Sequence, residues 1–126
     1  MINHLSVASI NPKKCAEDLA KLADGSAARF HPLDGAYVCF LTNRGWSGCF
    51  VEFYPSGYKL TQGPSGVKFE RVDSSNYINA THLNISLNKS HSEIAETADQ
   101  LGLKHGPRGA MGIYDVWLED QILRIC

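Results

Sequence analysis

Two short segments of this chain alternate polar and apolar side chains as half-buried β-strands do. His4-Leu5-Ser6-Val7-Ala8 and His82-Leu83-Asn84-Ile85-Ser86 each begin with histidine. Period-two alternation places successive side chains on opposite faces of a sheet, so each histidine shares a face with small polar residues. The leucines and the next apolar residues face the other way. The pattern therefore predicts two strands whose apolar faces are covered by helices.

A helix is predicted directly after each of these strands. Asn11 can cap the first helix with Pro12 at its first position, and Asp24-Gly25 ends it. The second helix has the S-x-x-E form of a capping box at 90–93, and Gly102 supplies its stop. Apolar residues recur at helical spacing in both, which gives each helix one face to bury against a sheet.

Two β-rich runs follow each helix, at 37–41 and 49–54 in the first half and at 113–118 and 122–126 in the second. Between the halves, 56–79 contains several Gly, Pro and Ser turns and at most one short strand, at Val67-Lys68-Phe69-Glu70. We predict a single α+β domain with module one at 1–55, a linker at 56–79 and module two at 80–126. Two βαβββ modules would form a curved sheet around a central cleft, with the helices outside.

Composition narrows the function classes. The chain has 126 residues, 44% hydrophobic and 20% charged, with a formal net charge of -1. Scattered lysines and arginines form no basic stripe, so nucleic acid is not expected as a partner. No basic and apolar leader and no membrane-length apolar run is present, so we expect no membrane partner and a cytoplasmic protein. The four cysteines lack metal-site spacing and are expected to be mostly buried thiols.

Two strand-like segments of the sequence resemble those of a known superfamily. Asn3-His4-Leu5-Ser6-Val7 and Thr81-His82-Leu83-Asn84-Ile85 resemble the two module-opening strands of the glyoxalase/bleomycin-resistance (vicinal oxygen chelate) superfamily. Val51-Glu52-Phe53-Tyr54-Pro55, a Gly/Pro-rich segment and then Ala80-Thr81-His82 are most similar to an uncharacterised bacterial branch of it. The resemblance covers nearly the whole chain and implies a small-molecule ligand in the central cleft, and a homodimer.

The resemblance also implies a metal site. In metal-binding members such as glyoxalase I, fosfomycin-resistance transferases and extradiol dioxygenases, ligands come from up to four equivalent strand positions. Those positions correspond here to His4, Glu52, His82 and Arg124. The first three make a 2-His-1-carboxylate set whose donors suit Zn²⁺, Mn²⁺, Ni²⁺ or Fe²⁺. On this hypothesis the protein is a metal-dependent lyase, isomerase, transferase or dioxygenase of the superfamily.

Arg124 departs from that pattern, because metalloenzymes of the superfamily very often have glutamate at the last ligand position. A guanidinium group has no lone pair to donate, repels a divalent cation and can form an ion pair with Glu52. The alternative hypothesis is a metal-free protein that binds or sequesters a small molecule, as bleomycin-resistance relatives do. Arg124, Tyr54 and Phe50 are then the ligand-binding residues. Both hypotheses stay open, as does a purely structural dimer module, and no catalytic residue is assigned.

Three further features stay outside the predicted site. His31 and His105 are expected to be loop residues because they adjoin Pro32 and Gly106-Pro107. Aromatic residues in the predicted strands are expected mostly in the core. The glycine-rich segment around Met111 is expected to be an ordinary connecting loop, with a flap over the cleft as the alternative.

Overall fold

Each half of the chain folds into a four-stranded sheet with one helix. The computed structural model describes residues 3–64, 66–72, 82–108, 113–118 and 121–125. The elements of the first half are, in order, β1 (His4–Ser9), α1 (Pro12–Ala23), β2 (Ser26–Arg29), β3 (Tyr37–Phe40), a 3-10 helix (Gly45–Ser47) and β4 (Phe50–Pro55). Those of the remainder are β5 (Tyr58–Gly63), β6 (Gly66–Arg71), β7 (His82–Ile85), α2 (His91–Leu101), β8 (His105–Arg108), β9 (Ile113–Leu118) and β10 (Gln121–Ile125).

The two sheets have the same topology. Their strand orders are β1-β4-β3-β2 and β7-β10-β9-β8. In both, the opening strand runs parallel to the last strand, and the other neighbours are antiparallel. The predicted α+β class is thereby confirmed, while the module boundaries near 55 and 80 stay a prediction.

Local capping determines where both helices begin. The side chain of Asn11 accepts a hydrogen bond from the backbone N–H of Lys14, and Pro12 occupies the first turn. Ser90 and Glu93 form the reciprocal capping box, and Gly102 ends α2 in the left-handed conformation. At the end of α1, however, the left-handed residue is Asp24 (φ 52°) rather than the glycine after it. The Asp24 carboxylate is 2.7 Å from the Lys89 ammonium, which links the end of α1 to the second half.

One hydrophobic core joins the two halves through their helix-facing sides. It contains residues of both helices and alternate residues of the strands; among its members are Val7, Leu19, Leu22, Val51, Phe53, Ile94, Ala98, Val116 and Leu118. Alternate residues of β4 (Phe50, Glu52 and Tyr54) are absent from it, so they face the opposite side of the first sheet. None of the helices in the described part of the chain is long and apolar enough to cross a membrane.

The segment predicted as a linker is more ordered than expected. The 56–79 stretch contains two strands, β5 and β6, which pair with each other as an antiparallel hairpin. The predicted strand at 67–70 lies within β6, but its partner β5 was not predicted. The ring of Phe69 lies 5.0 Å from that of Tyr54 in β4, so the hairpin contacts the first sheet.

Other expectations have mixed outcomes. Cys15 and Cys39 are buried thiols as predicted, whereas Cys49 is exposed; Cys126 lies outside the described residues. Burial raises the pKa of the Cys39 thiol to about 12, so it is inert at neutral pH. The segment around Met111 also lies outside the described residues.

Candidate functional site

The last strand of the first sheet, β4, has two chemically different faces. Val51 and Phe53 point toward α1 and belong to the core. Phe50, Glu52 and Tyr54 alternate with them and share the opposite face. Sequence alternation predicted this face correctly. It is the face on which a ligand site is expected, because the helices occupy the other one.

Glu52 is the buried polar residue of this face, with only 6% of its surface exposed. The register places Ser6 of β1 directly beside it, and the Ser6 hydroxyl donates a 2.6 Å hydrogen bond to Glu52 Oε2. The Tyr54 hydroxyl donates to the same oxygen at 3.2 Å. Two hydroxyl donors offset much of the cost of removing a carboxylate from water. They also hold the carboxylate in one orientation, as a ligand-binding group requires.

Aromatic rings cover the same face around Glu52. We call this set of rings the aromatic layer; its members are His4, Phe30, Phe40, Trp46, Phe50, Tyr54 and Phe69. Edge-to-face and tilted contacts dominate it, such as the Trp46–Phe50 contact at 5.1 Å. Trp46 is 58% exposed, so part of the layer faces outward. Aromatic side chains beside an oriented polar group are typical of a ligand-binding site.

His4 is an exposed residue that stacks on Phe50. The two ring centroids are 4.9 Å apart and the rings are nearly parallel, at 6°. His4 and Glu52 therefore share a face. No group of three His, Cys, Asp or Glu side chains able to hold a metal occurs within the part of the chain that the structure describes.

The two predicted site residues of the second half, His82 and Arg124, are placed by their backbone alone, because their side chains lie outside the described residues. The register gives these matched pairs: His4–Phe50 with His82–Ile122, and Ser6–Glu52 with Asn84–Arg124. His82 is thus the counterpart of His4, and Arg124 is the counterpart of Glu52. The predicted ligand set stays a prediction, since neither the imidazole of His82 nor the guanidinium of Arg124 is described.

Asp115 is a second buried carboxylate on a strand, and the sequence analysis did not include it among the candidate site residues. It is 4% exposed and lies in β9 directly opposite Arg124, at the position where the first sheet has Val38. Its neighbours Tyr114 and Val116 belong to the core, so Asp115 faces away from the helices. The available signal was a lone carboxylate inside the otherwise apolar run 113–118. Burial of a carboxylate in such a strand is costly unless a hydrogen bond or a positive charge compensates for the lost contact with water.

His105 was expected in a loop, and that expectation is wrong. It lies in β8, which pairs with β9 even though Gly106 and Pro107 come directly after His105. Its Nδ1 is 2.7 Å from the Tyr114 hydroxyl and its Nε2 is 2.9 Å from Asp99 Oδ1. With the proton on Nε2, the imidazole donates to Asp99 and accepts from Tyr114. These contacts link α2 to the second sheet on the helix side, away from Glu52. His31, by contrast, is an exposed loop residue as expected.

Tyr54 is expected to ionise at a higher pH than an ordinary tyrosine, whose pKa is about 10. Burial, the charge of Glu52 and the hydrogen bond to Glu52 all raise the pKa of Tyr54. Because the folded pKa lies above the unfolded one, this stabilisation is complete below a pH of about 10 and is lost as the pH rises through the folded pKa.

Ultraviolet titration of phenolate formation in the wild type and in Tyr54→Phe checks this expectation. The difference between the two curves should contain a late transition, which moves to lower pH in Glu52→Gln. A Tyr54 signal that titrates with an ordinary pKa would contradict it.

Several solved structures are similar to this chain over nearly its whole length. An integron cassette protein of V. cholerae matches with a TM-score of 0.60 and 13% identity, covering 99% of this chain and 92% of that chain. A possible glyoxalase from Bacillus cereus matches with a TM-score of 0.59 and 14% identity, covering 99% and 96%. The fosfomycin resistance protein FosX from Listeria monocytogenes, complexed with Mn(II) and sulfate, matches with a TM-score of 0.62 and 8% identity, covering 99% and 87%.

The chain has the vicinal oxygen chelate fold. The resemblance predicted from the sequence is confirmed at this level. No protein-family model matches the sequence, and no curated protein matches it. At these identities the vicinal oxygen chelate fold is shown without its chemistry, so the chemistry has to be argued from the residues of the site.

Proposed function

We propose that this protein binds a small molecule on the face of the first sheet that contains Glu52 and the aromatic layer, without needing a metal. One observation supports this most directly. Glu52 is a buried carboxylate whose Oε2 is fixed by Ser6 and Tyr54, and it lies beside an aromatic surface that is partly exposed. Ligand pockets typically combine apolar walls with a few oriented polar groups, and this face has both.

The proposed ligand has a flat apolar part and at least one hydrogen-bond donor. The apolar part would pack on rings such as Phe50 and Trp46, and the donor would bind Glu52. Arg124, at the matching register position of the second sheet, is proposed to orient an acidic group of the same ligand. A charge-assisted hydrogen bond to Glu52 contributes about 1.5–3 kcal/mol, roughly 10- to 100-fold in affinity.

A thermal-shift screen of metabolites and antibiotics, fosfomycin included, tests this proposal in the presence and absence of chelator. The hits are expected to persist with chelator and to bind roughly tenfold or more weakly to Glu52→Gln. Glu17→Gln is the matched control, because Glu17 is an exposed glutamate on α1, on the other side of the sheet. If chelator abolished every hit, or if both variants bound alike, metal-free binding at Glu52 would be rejected.

A metal-dependent enzyme is the second candidate, and two observations favour it. His4 and His82 occupy matching register positions, and FosX, which shares the fold, is described with Mn(II). The described residues fit a metal only in part: Glu52 and His4 share a face, but one oxygen of Glu52 already accepts two hydrogen bonds. If a divalent ion binds, His4, Glu52 and His82 would hold it, and it would polarise oxygen atoms of a substrate.

Elemental analysis and titration with Co²⁺ or Ni²⁺ separate the two candidates. Stoichiometric binding by the wild type and by His31→Ala, with loss in His82→Ala, would support the metal site. Equal binding by all three proteins would reject it. Homodimer formation and a cytoplasmic location, expected from the sequence, remain part of the proposal.

A further inference from the structure

A small cavity lies where the β5–β6 hairpin meets the first sheet. Its volume is about 120 Å³. Ser6, Ala8 and Tyr54 contribute to it from the sheet, and Tyr58, Leu60 and Phe69 contribute from the hairpin. Two of these residues, Ser6 and Tyr54, are also the hydrogen-bond donors of Glu52. The cavity is therefore adjacent to the proposed polar site.

Three polar side chains around this cavity are already engaged. The hydroxyls of Ser6 and Tyr54 both donate to Glu52 Oε2, so their protons are directed at the carboxylate. Lys59 also lines the cavity, but its ammonium is 3.4 Å from Glu70 Oε2. The other lining residues are Val7, Ala8, Tyr58, Leu60 and Phe69, which are aliphatic or aromatic. An occupant thus meets mainly apolar atoms.

The size and lining of the cavity determine which kind of ligand group it can bind. Ordered water needs two to four polar partners, and these walls offer few that are not already paired. The cavity is partly open to solvent, so a ligand can enter it directly. An enclosed apolar cavity of roughly 150 Å³ binds benzene, which sets the scale for the group that a space of this size can hold. A compact apolar group therefore suits the cavity best, because it has no polar atoms that would need hydrogen-bond partners from these walls.

We propose that this cavity binds a compact, uncharged apolar group of about the size of a benzene ring. The group belongs to the molecule whose polar part binds Glu52, so this identification of the ligand class rests on the proposed function. The hairpin is then the element that selects the ligand, because it supplies half of the cavity wall. Ligands lacking such a group would leave the cavity unfilled and bind more weakly.

Fluorine NMR with fluorobenzene as the probe tests the cavity by itself, using the full chain. We expect wild type to bind with a dissociation constant of about a millimolar or lower. Ala8→Leu fills the cavity from the sheet side and should weaken binding at least tenfold. Ala28→Leu is the matched control, since Ala28 is an exposed residue of β2 and does not line the cavity. Its affinity for fluorobenzene should equal that of the wild type.

Phe69→Ala removes a wall from the hairpin side and gives a second test if Ala8→Leu does not fold. It should weaken fluorobenzene binding at least threefold. Benzoate and benzylammonium should bind the wild type at least tenfold more weakly than fluorobenzene. Absence of fluorobenzene binding to the wild type, or equal binding by the wild type and the folded cavity variants, would overturn the proposal.

Glu52→Gln distinguishes failure of this inference from failure of the proposed function. Fluorobenzene makes no use of the carboxylate, so it should bind Glu52→Gln as it binds wild type. If cavity variants lose fluorobenzene while Glu52→Gln binds every screening hit normally, the cavity is supported and the function proposed for Glu52 fails. If Glu52→Gln loses the hits but the cavity variants keep fluorobenzene, the reverse holds.

Discussion

Phe53→Ala is expected to lower the free energy of unfolding by about 3–5 kcal/mol. Phe53 is 1% exposed and is among the largest fully buried side chains of the described residues. It belongs to the core that contains residues of both halves, so the cavity left by its ring would remove packing contacts within that core. Since domains of this size are typically stable by about 5–15 kcal/mol, the variant should lie close to its unfolding threshold. Equilibrium denaturation in urea measures the change.

Trp46→Ala is the control for this prediction. Trp46 is a larger residue, but 58% of its surface is exposed and its partners lie in the aromatic layer. Loss of its edge-to-face contacts should lower the free energy of unfolding by about 1 kcal/mol. Binding of screening hits should decrease, while the fold persists. Equal destabilisation by the two variants would contradict the assignment of one face of the first sheet to the core and the other to a ligand.

The elements that the sequence predicted well are those fixed by nearby residues. Both helices begin at their predicted caps, because Asn11 and the capping box at Ser90 act over three residues. β9 spans its predicted range for a similar reason, since its apolar residues alone specify a strand. The faces of β4 also follow from simple alternation. In each case the determining interaction is local in the chain.

The missed strands depend on partners that are distant or weakly encoded. β2 (Ser26–Arg29) and β8 (His105–Arg108) are edge strands whose residues include few of the β-branched or large apolar types. The hairpin strand β5 mixes polar residues with Tyr58 and Leu60, and it is a strand because β6 pairs with it. Such pairing is a property of the folded chain, so a propensity pattern does not contain it.

In the candidate site, too, some features follow from nearby residues and others from pairing between distant strands. Alternation predicted that Glu52 and Tyr54 share a face, but the hydrogen bond from Ser6 joins residues 46 positions apart through the parallel β1–β4 register. Asp115 lies opposite Arg124 only because β9 pairs with β10. The repeat in the sequence nevertheless gave the correct counterparts, since the registers of the two sheets match position by position.

Gly25→Ala is expected to destabilise the fold by about 2–3 kcal/mol, although it adds one methyl group. A Cβ atom at this position would be 2.1 Å from the backbone oxygen of Phe40. The neighbouring pair Ser26–Phe40 belongs to the β2–β3 ladder, so the carbonyl cannot move without disturbing that ladder. The left-handed conformation at the end of α1 is supplied by Asp24, so close backbone approach, rather than a positive φ, is what requires glycine here.

Gly106→Ala is the matched substitution, because Gly106 also lies in a sheet but an added Cβ would meet nothing within 4 Å. It should change the free energy of unfolding by less than about 0.5 kcal/mol, as an unstrained surface substitution does. Urea denaturation of both variants measures the contrast, and amide exchange in β2 and β3 should increase in Gly25→Ala. Equal stabilities would mean that β2 can separate from β3 at little cost. The first sheet would then not be the rigid support that the aromatic layer and Glu52 require.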